Sequence, residues 1–438
     1  MIALSSPILR ALRHRNYRLF FGGQLISLTG TWMQQIAQSW LVYRLTRSSA
    51  LLGLVSFSGQ IPVFVLAVLG GAAADRLNRH RIIVSTQTLA MTLAFVLAGL
   101  TLTGQVRVWH LFVLAALLGV VNAFDMPARQ AFMADMVARE DLMNAIALNS
   151  SIVNGARMVG PAIAGAVIAW VGEGWCFFLN GVSYIAVIAG LLMMRRLDAG
   201  RAVRSGRSPI GDIADGFRFI RRTAPVLTLL LLIGVVSLTA MPYAVLMPVF
   251  ADQILHGGVA GLGLLTGASG VGALGGALSL AMRRGVRGLG TWVAVSTFGL
   301  GVALLLFAWS RSFWLSAAVL VPIGAAMMVQ MAASYTLIQA MVPDHLRGRV
   351  MAVYSMMFMG MAPFGALFAG WMADRIGAPR TVAIGGGVAV VAAIAFRLRL
   401  PAIRPEARQL IVAQGFAGGD PVQEMTGPGQ DVPLRAKG

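Results

Sequence analysis

In 438 positions the chain has one cysteine, one lysine (Lys437) and 16 acidic residues. A single thiol, Cys176, excludes a disulfide framework and a cysteine-rich metal site. The five histidines (His14, His80, His110, His256, His345) fall at the ends of apolar runs or between them, without metal-ligand spacing. No phosphate-cradling glycine loop accompanies them, so no metal, no cofactor and no enzymatic chemistry are expected. Charged residues make up 12% of the chain, against about 25% in a soluble domain, which excludes an ordinary water-soluble fold. An uninterrupted apolar stretch ahead of a cleavage site is also missing from the start. Arg10, Arg13, Arg15 and Arg18 come first, so no signal peptide is expected. A short basic amphipathic segment on the membrane surface is expected there instead.

What the chain has is apolar length: 58% of it is hydrophobic. A helix spanning a bilayer needs about 20 mostly apolar residues. Twelve runs qualify, at about 17–43, 49–74, 82–104, 108–136, 141–171, 175–195, 224–251, 259–283, 287–308, 312–341, 346–372 and 379–399. The arginines orient them. With the N-terminus inside, 27 basic residues fall in inner segments and six (Arg44, Arg47, Arg107, Arg311, Arg375, Arg380) in outer loops. That asymmetry places both termini in the cytoplasm. It also accounts for the net charge of +19 without a basic face for nucleic acid, and no nucleic-acid partner is expected.

The chain also repeats. MADMVAREDLMNAIAL joins runs 4 and 5, and LIQAMVPDHLRGRVMAV joins runs 10 and 11, so Leu142 aligns with Leu346 at an offset of 204. Gly160-Pro161 then falls close to Ala362-Pro363. The expected fold is an all-α integral membrane protein of twelve transmembrane helices in two pseudo-symmetric six-helix halves, a build common among secondary transporters. The halves are 1–195 and 223–400, with a cytoplasmic linker at 196–222 and a disordered cytoplasmic tail at 401–438, rich in Pro and Gly.

GAAADRLNRH, Gly71 to His80, lies at the inner turn between runs 2 and 3. It resembles the signature Gly-x-x-x-Asp-Arg-x-Gly-Arg-Arg/Lys of the major facilitator superfamily. Gly71, Asp75, Arg76 and Arg79 match, while Asn78 replaces a glycine and His80 a basic residue, with Arg81 following. The resemblance implies the major facilitator fold and a conformational latch: small residues let helix 2 approach the other half, and the acid meets the positive N-terminus of helix 11. The alternative is a basic turn that only sets orientation. GWMADRIG, Gly370 to Gly377, has the same spacing but lies 299 residues after the first acid and outside by topology. Asp374-Arg375 is therefore expected to be an outer cap with no latch role. NGARMVGPAIAG, Asn154 to Gly165, resembles the antiporter motif of the superfamily through Gly160, Pro161 and Gly165. FDMPARQAF (Phe124–Phe132), RMVGPAIAG (Arg157–Gly165) and FFLNGVSYI (Phe177–Ile185) resemble the bacterial branch that includes enterobactin exporters and drug efflux pumps.

Among the acids only Asp125 falls inside an apolar run, about 26 Å from the outer end of its helix at 1.5 Å per residue. Arg129, one turn away, is its expected partner. The pair is either static or a proton-coupling or gating device; an intramembrane acid defaults to a functional hypothesis. Arg157, mid-helix, needs Asp125, a carbonyl or an anionic substrate group. Gln34, Gln38, Asn122, Asn154, Asn180, Gln330 and Tyr335 are candidates for a substrate cavity, each alternatively an interhelical hydrogen bond. The 24 methionines suit adaptable packing around varied guests or ordinary membrane core. The expectation is a monomeric bacterial inner-membrane exporter of a small amphipathic molecule, siderophore or antibiotic-like, exchanged for protons. Facilitated uptake, lipid movement and a non-transporting sensor are the rivals.

Overall fold

An apolar run in lipid can satisfy its backbone only within itself or in a closed barrel, and here each long run is helical. The computed structural model describes residues 7–194, 209–283, 285–286 and 288–414. Its helices are α1 (Arg15–Thr46), α2 (Ser49–Arg76), α3 (Arg79–Leu102), α4 (Val108–Met136), α5 (Leu142–Val171), α6 (Glu173–Leu192), α7 (Pro209–Arg222), α8 (Ala224–Thr239), α9 (Met247–Val249), α10 (Gly258–Ala281), α11 (Leu289–Trp309), α12 (Phe313–Met341), α13 (Asp344–Ser355), α14 (Met361–Ile376) and α15 (Ala378–Ala413). No strand occurs among the described residues. Eleven segments are long and apolar enough to cross a bilayer, with α8 continuing to Ile254 and α13 running into α14. The run expected first, α1, falls outside that set because its glutamines dilute it; where they go is described below.

Helix ends follow local chemistry. Ser48 accepts a hydrogen bond from Leu51 N–H at the start of α2, and Asn78 does the same for Arg81 at the start of α3. The α5–α6 and α14–α15 junctions are single glycines, Gly172 and Gly377, with φ of 88° and 89°, a conformation that a side chain would strain. They lie 205 residues apart, which matches the sequence repeat.

Three segments depart from expectation. The run 224–251 is not one straight helix: Pro242 and Pro248 remove backbone donors, and the chain passes through a tight turn at Met241–Ala244 and a wide one at Phe250–Ile254. The run 346–372 carries a wide turn at Met356–Gly360, just ahead of Pro363. The last helix does not stop near 400. α15 continues through Pro401 and Pro405 to Ala413, because Leu400, Ala407 and Ile411 are buried and Arg404 donates to Thr291 Oγ1 at 3.1 Å. The tail beyond 414 and the linker residues 195–208 lie outside the described residues, while α7 occupies the rest of the linker and packs on α13. At the other terminus the turn Pro7–Arg13 packs on the chain: Ala11 N–H donates to Asn144 Oδ1 at 2.9 Å and His14 meets Asp141 at 2.9 Å.

Packing repeats as the sequence does. In the first six helices α2 packs on α4, α1 on α5 and α6, and α3 on α4 and α6. In the second set α10 packs on α12, α8 on α14 and α15, and α11 on α12 and α15. Two seams join the sets, α5 with α10 and α2 with α14. Glycine makes both seams close. A Cβ at Gly263 would lie 2.6 Å from the Pro161 carbonyl oxygen, and one at Gly370 would lie 2.5 Å from that of Ser49. Gly263→Ala is expected to destabilise the purified protein by about 1–3 kcal/mol through overpacking. Gly71→Ala, where a Cβ meets nothing within 4 Å, should be neutral or stabilising by up to about 1 kcal/mol from helix propensity. Thermal unfolding in detergent distinguishes the two.

Candidate substrate cavity and the contacts that close it

A cavity of ≈ 400 Å³ lies between the two sets. Its α1 wall is Trp32, Gln35, Ile36, Gln38, Ser39 and Val42, with Trp32, Gln35, Ser39 and Val42 three or four apart along one helix face. The glutamines that make α1 too polar for a lipid-facing span are thus partly explained. Gln35 and Gln38 line the cavity, while Gln24 and Gln34 are buried in the bundle. Three of the expected cavity residues, Gln38, Asn122 and Arg157, are on the wall. Gln35, Gln60 and Tyr243 join them; the 32-35-39-42 stripe was a signal for the first. Arg157 holds its guanidinium over the Trp32 ring, 5.5 Å from the centroid. Gly160 permits this, since a Cβ there would lie 2.6 Å from Trp32 Cβ.

The other expected cavity residues do other work. Asn180 Nδ2 donates to Gln34 Oε1 at 2.7 Å, tying α6 to α1 in the bundle interior. Asn154 bonds back to the Ser150 carbonyl. Gln330 is buried in α12, and Tyr335 packs edge-on against Tyr354 with centroids 5.3 Å apart. None of these five borders the cavity.

Asp125 is 2% exposed and sits among donors. Its Oδ1 accepts from Thr86 Oγ1 at 2.8 Å and Gln87 Nε2 at 2.9 Å, and its Oδ2 faces Arg129 at 3.1 Å. Arg129 also donates to Gln24 Oε1 at 2.9 Å. The i,i+4 pairing is therefore present, and Asp125 does not serve Arg157. At the edges of this network Gln24 Nε2 and Gln87 Oε1 are buried without a partner.

The two ends of the molecule differ. Where α1 turns into α2, the sets are bonded together. Tyr43 donates to Asp252 Oδ2 at 2.9 Å, and Arg47 donates to the same oxygen. Tyr43 and Asp252 hold the Arg47 guanidinium above its ordinary pKa, so it stays charged. Asp374, at the last turn of α14, accepts from Ser48 Oγ at 2.7 Å and Ser49 N–H at 2.6 Å. A carboxylate on the N-terminus of α2 is stabilised by unpaired N–H groups and the helix dipole. Asp374, expected as an outer cap, thus bridges the two sets.

Both seams start at this end and stop midway. α2 touches the second set from Ser49 to Phe64, which abuts Gly360; beyond it Val65, Val68 and Leu69 are 63%, 53% and 58% exposed. α5 and α10 meet from Gly165–Gly263 to Met158–Gly270, after which Met143 and Met282 are exposed. Asp75 and Arg76 are exposed at the parted end, and neither forms an ion pair among the described residues. Arg79 turns inward to Asp135, at 3.0 and 2.9 Å, and to the Ala74 carbonyl; Asp135 was not among the expected partners. The close approach expected at Gly71 is made elsewhere, by Gly53 to the second set and by Gly70 to Ala123 of α4.

Residues 6–420 match the transmembrane secretion effector family. The chain belongs to that family of major facilitator transporters. It is a multi-pass membrane transporter and not an enzyme. It is 26% identical over 373 residues to the staphyloferrin A transporter of Staphylococcus aureus, covering 84% of this chain and 92% of that one. It is 28% identical over 352 residues to the multidrug efflux pump Tap of Mycolicibacterium fortuitum, covering 78% and 85%. Its fold is similar to that of a bacterial homologue of the human lysosomal transporter Spinster in an inward-facing, unoccupied conformation, with a TM-score of 0.66 at 15% identity over 94% of this chain and 99% of that one.

Proposed function

We propose that this transporter exports an amphipathic small molecule, siderophore or antibiotic-like, across a bacterial inner membrane in exchange for protons. Two six-helix halves, counting α1 as the twelfth span, rock about the cavity between them. The observation that carries this reading is the asymmetry of the seams: bonded at the α1–α2 turn, parted past Phe64 and Met158, with the cavity between. The arginine distribution supports a cytoplasmic location for the parted end, which makes this the inward-facing state. In the opposite state Asp75 closes the parted end against the N-terminus of α13, as Asp374 closes the other end against α2. The relatives described as a staphyloferrin A transporter and a multidrug efflux pump support the substrate range and the direction.

Proton exchange is assigned to Asp125. An exchanger must release its proton when it faces the cytoplasm, and a carboxylate meeting three donors fits the released form. The unpaired Gln24 and Gln87 atoms give the network alternative partners when the helices shift. In proteoliposomes with an acid lumen and a trapped pH dye, external siderophores or amphipathic antibiotics should raise lumenal pH above that of protein-free vesicles. Compounds that bind without moving the dye would contradict exchange and leave facilitated uptake, lipid movement or a sensor. A tag at Gly438 is expected to be cytoplasmic, and one inserted between Gly257 and Gly258 external; labelling both from one side of intact cells would break the topology.

A further inference from the structure

Resting on the transport reading above, the geometry points to a substrate class: we infer that the cavity selects molecules carrying a carboxylate on an aromatic or apolar body, with Arg157 as its receptor. The membrane core holds two arginines in contrasting settings. Arg129 has Asp125 and Gln24. Arg157 lies on the cavity wall and, among the described residues, has no carboxylate or hydrogen-bond partner, only the Trp32 ring. A cation held inside a membrane without a counter-ion is costly, and such residues face substrate or ion pathways.

The ring contact helps prepare the site. The Arg157 guanidinium has the Trp32 ring beside it, 5.5 Å from the centroid, and carries five N–H donors in its own plane. Two of those donors match the two oxygens of a carboxylate in a forked pair. Among the described residues no carboxylate or hydrogen-bond partner takes those donors, so they are left to the guest. The neighbouring Trp32 ring, pinned by the close approach at Gly160, holds the cation at the wall. Arg157 is the sole charged residue on the wall among the described residues. A cationic guest would meet repulsion and find no acid in return. The remaining described wall carries no charge: the Gln35, Gln38, Gln60 and Asn122 amides and several hydroxyls, Tyr243 among them, are set among Val55, Leu118 and similar apolar side chains, which suits a body with few further charges.

The test needs no native substrate. 1-Pyrenebutyrate, 1-pyrenebutyramide and the corresponding trimethylammonium cation share one body and differ in charge. Binding to the purified protein in detergent is followed by energy transfer from tryptophan to pyrene. The wild type is expected to bind the carboxylate about tenfold more tightly than the amide, the effect of one charge-assisted forked pair. Arg157→Gln should remove that preference, the carboxylate then binding no more tightly than the amide, and Arg157→Lys should retain part of it. Equal affinities in the wild type, or tighter binding of the cation, would overturn the inference, and this arm needs no variant to fold. A preference that survives Arg157→Gln would overturn the assignment to Arg157. Displacement of the probe by equimolar phosphatidylglycerol would reassign the site to a lipid headgroup. If neutral or cationic compounds still raise lumenal pH in the vesicle assay, only the charge selection fails; if no compound does, the proton-exchange reading fails with it.

Discussion

Asp125→Asn is expected to abolish proton-driven efflux while leaving equilibrium binding of substrate in place. An exchanger needs a group whose protonation differs between its two facing states, and arginine cannot serve because it stays charged. Asp125 is a carboxylate buried between α3 and α4, bonded to Thr86, Gln87 and Arg129. Asparagine keeps an acceptor for Thr86 and Gln87 but turns an amide donor toward Arg129. Breaking a buried pair by removing one partner costs about 3–5 kcal/mol. Here the cost should fall below that range, since Arg129 is a quarter exposed and keeps Gln24. The rival role is plain neutralisation of Arg129. In that case the single variant loses expression, and Asp125→Asn combined with Arg129→Gln recovers efflux. Binding and dye-reported efflux in both variants decide between them; rescue by the double variant would sink the coupling role.

Removing the two end contacts should bias the transporter in opposite directions. Asp374→Asn weakens the closure on α2, and Asp75→Asn weakens the closure proposed on α13. Both proteins should fold and insert, and both should transport more slowly. An acid at an exposed helix N-terminus contributes about 0.3–1 kcal/mol, and up to about 2 when partly buried. A ligandless two-state equilibrium then shifts by a factor of about 2 to 30. Normal turnover in Asp75→Asn at normal expression would reduce its loop to an orientation signal. Normal turnover in Asp374→Asn would reduce its bonds to Ser48 and Ser49 to a static cap.

The helices were legible because lipid leaves a 20-residue apolar run one local solution, and the repeat was legible because both sets need the same turns: Gly172 and Gly377 show it in the backbone. The Asp125–Arg129 pair followed from helical spacing alone. Asp374 was read as an outer cap, and its contact across the seam was missed for a physical reason. Its distance from Asp75 does not fit the repeat, yet the relevant symmetry is the antiparallel packing of α2 against α14, along which Ser49 meets Asp374 and Phe64 meets Gly360. Antiparallel helices put the C-terminal acid of one beside the N-terminus of the other, so the two Gly-x-x-x-Asp-Arg stretches lie at opposite ends of one helix pair. Gln34 and Asn180 were misplaced because amides at mid-helix serve equally as lining or as interhelical bonds, and only the rotation of α1 separates Gln34 from Gln35. The extension of α15 past two prolines depends on α11 and Thr291 being there to receive it.

The rocking of the two halves about Arg157 and its cavity is tested most directly by distances across both ends. In a Cys176→Ser background, one spin-label pair replaces Gln105 and Arg311 at the bonded end, and a second replaces Arg139 and His345 at the parted end; all four are exposed. Two populations are expected at each end, with opposite responses. Asp374→Asn should lengthen the first distance and shorten the second, and Asp75→Asn should do the reverse. Distances that stay fixed in both variants, or that lengthen at both ends together, would contradict that rocking.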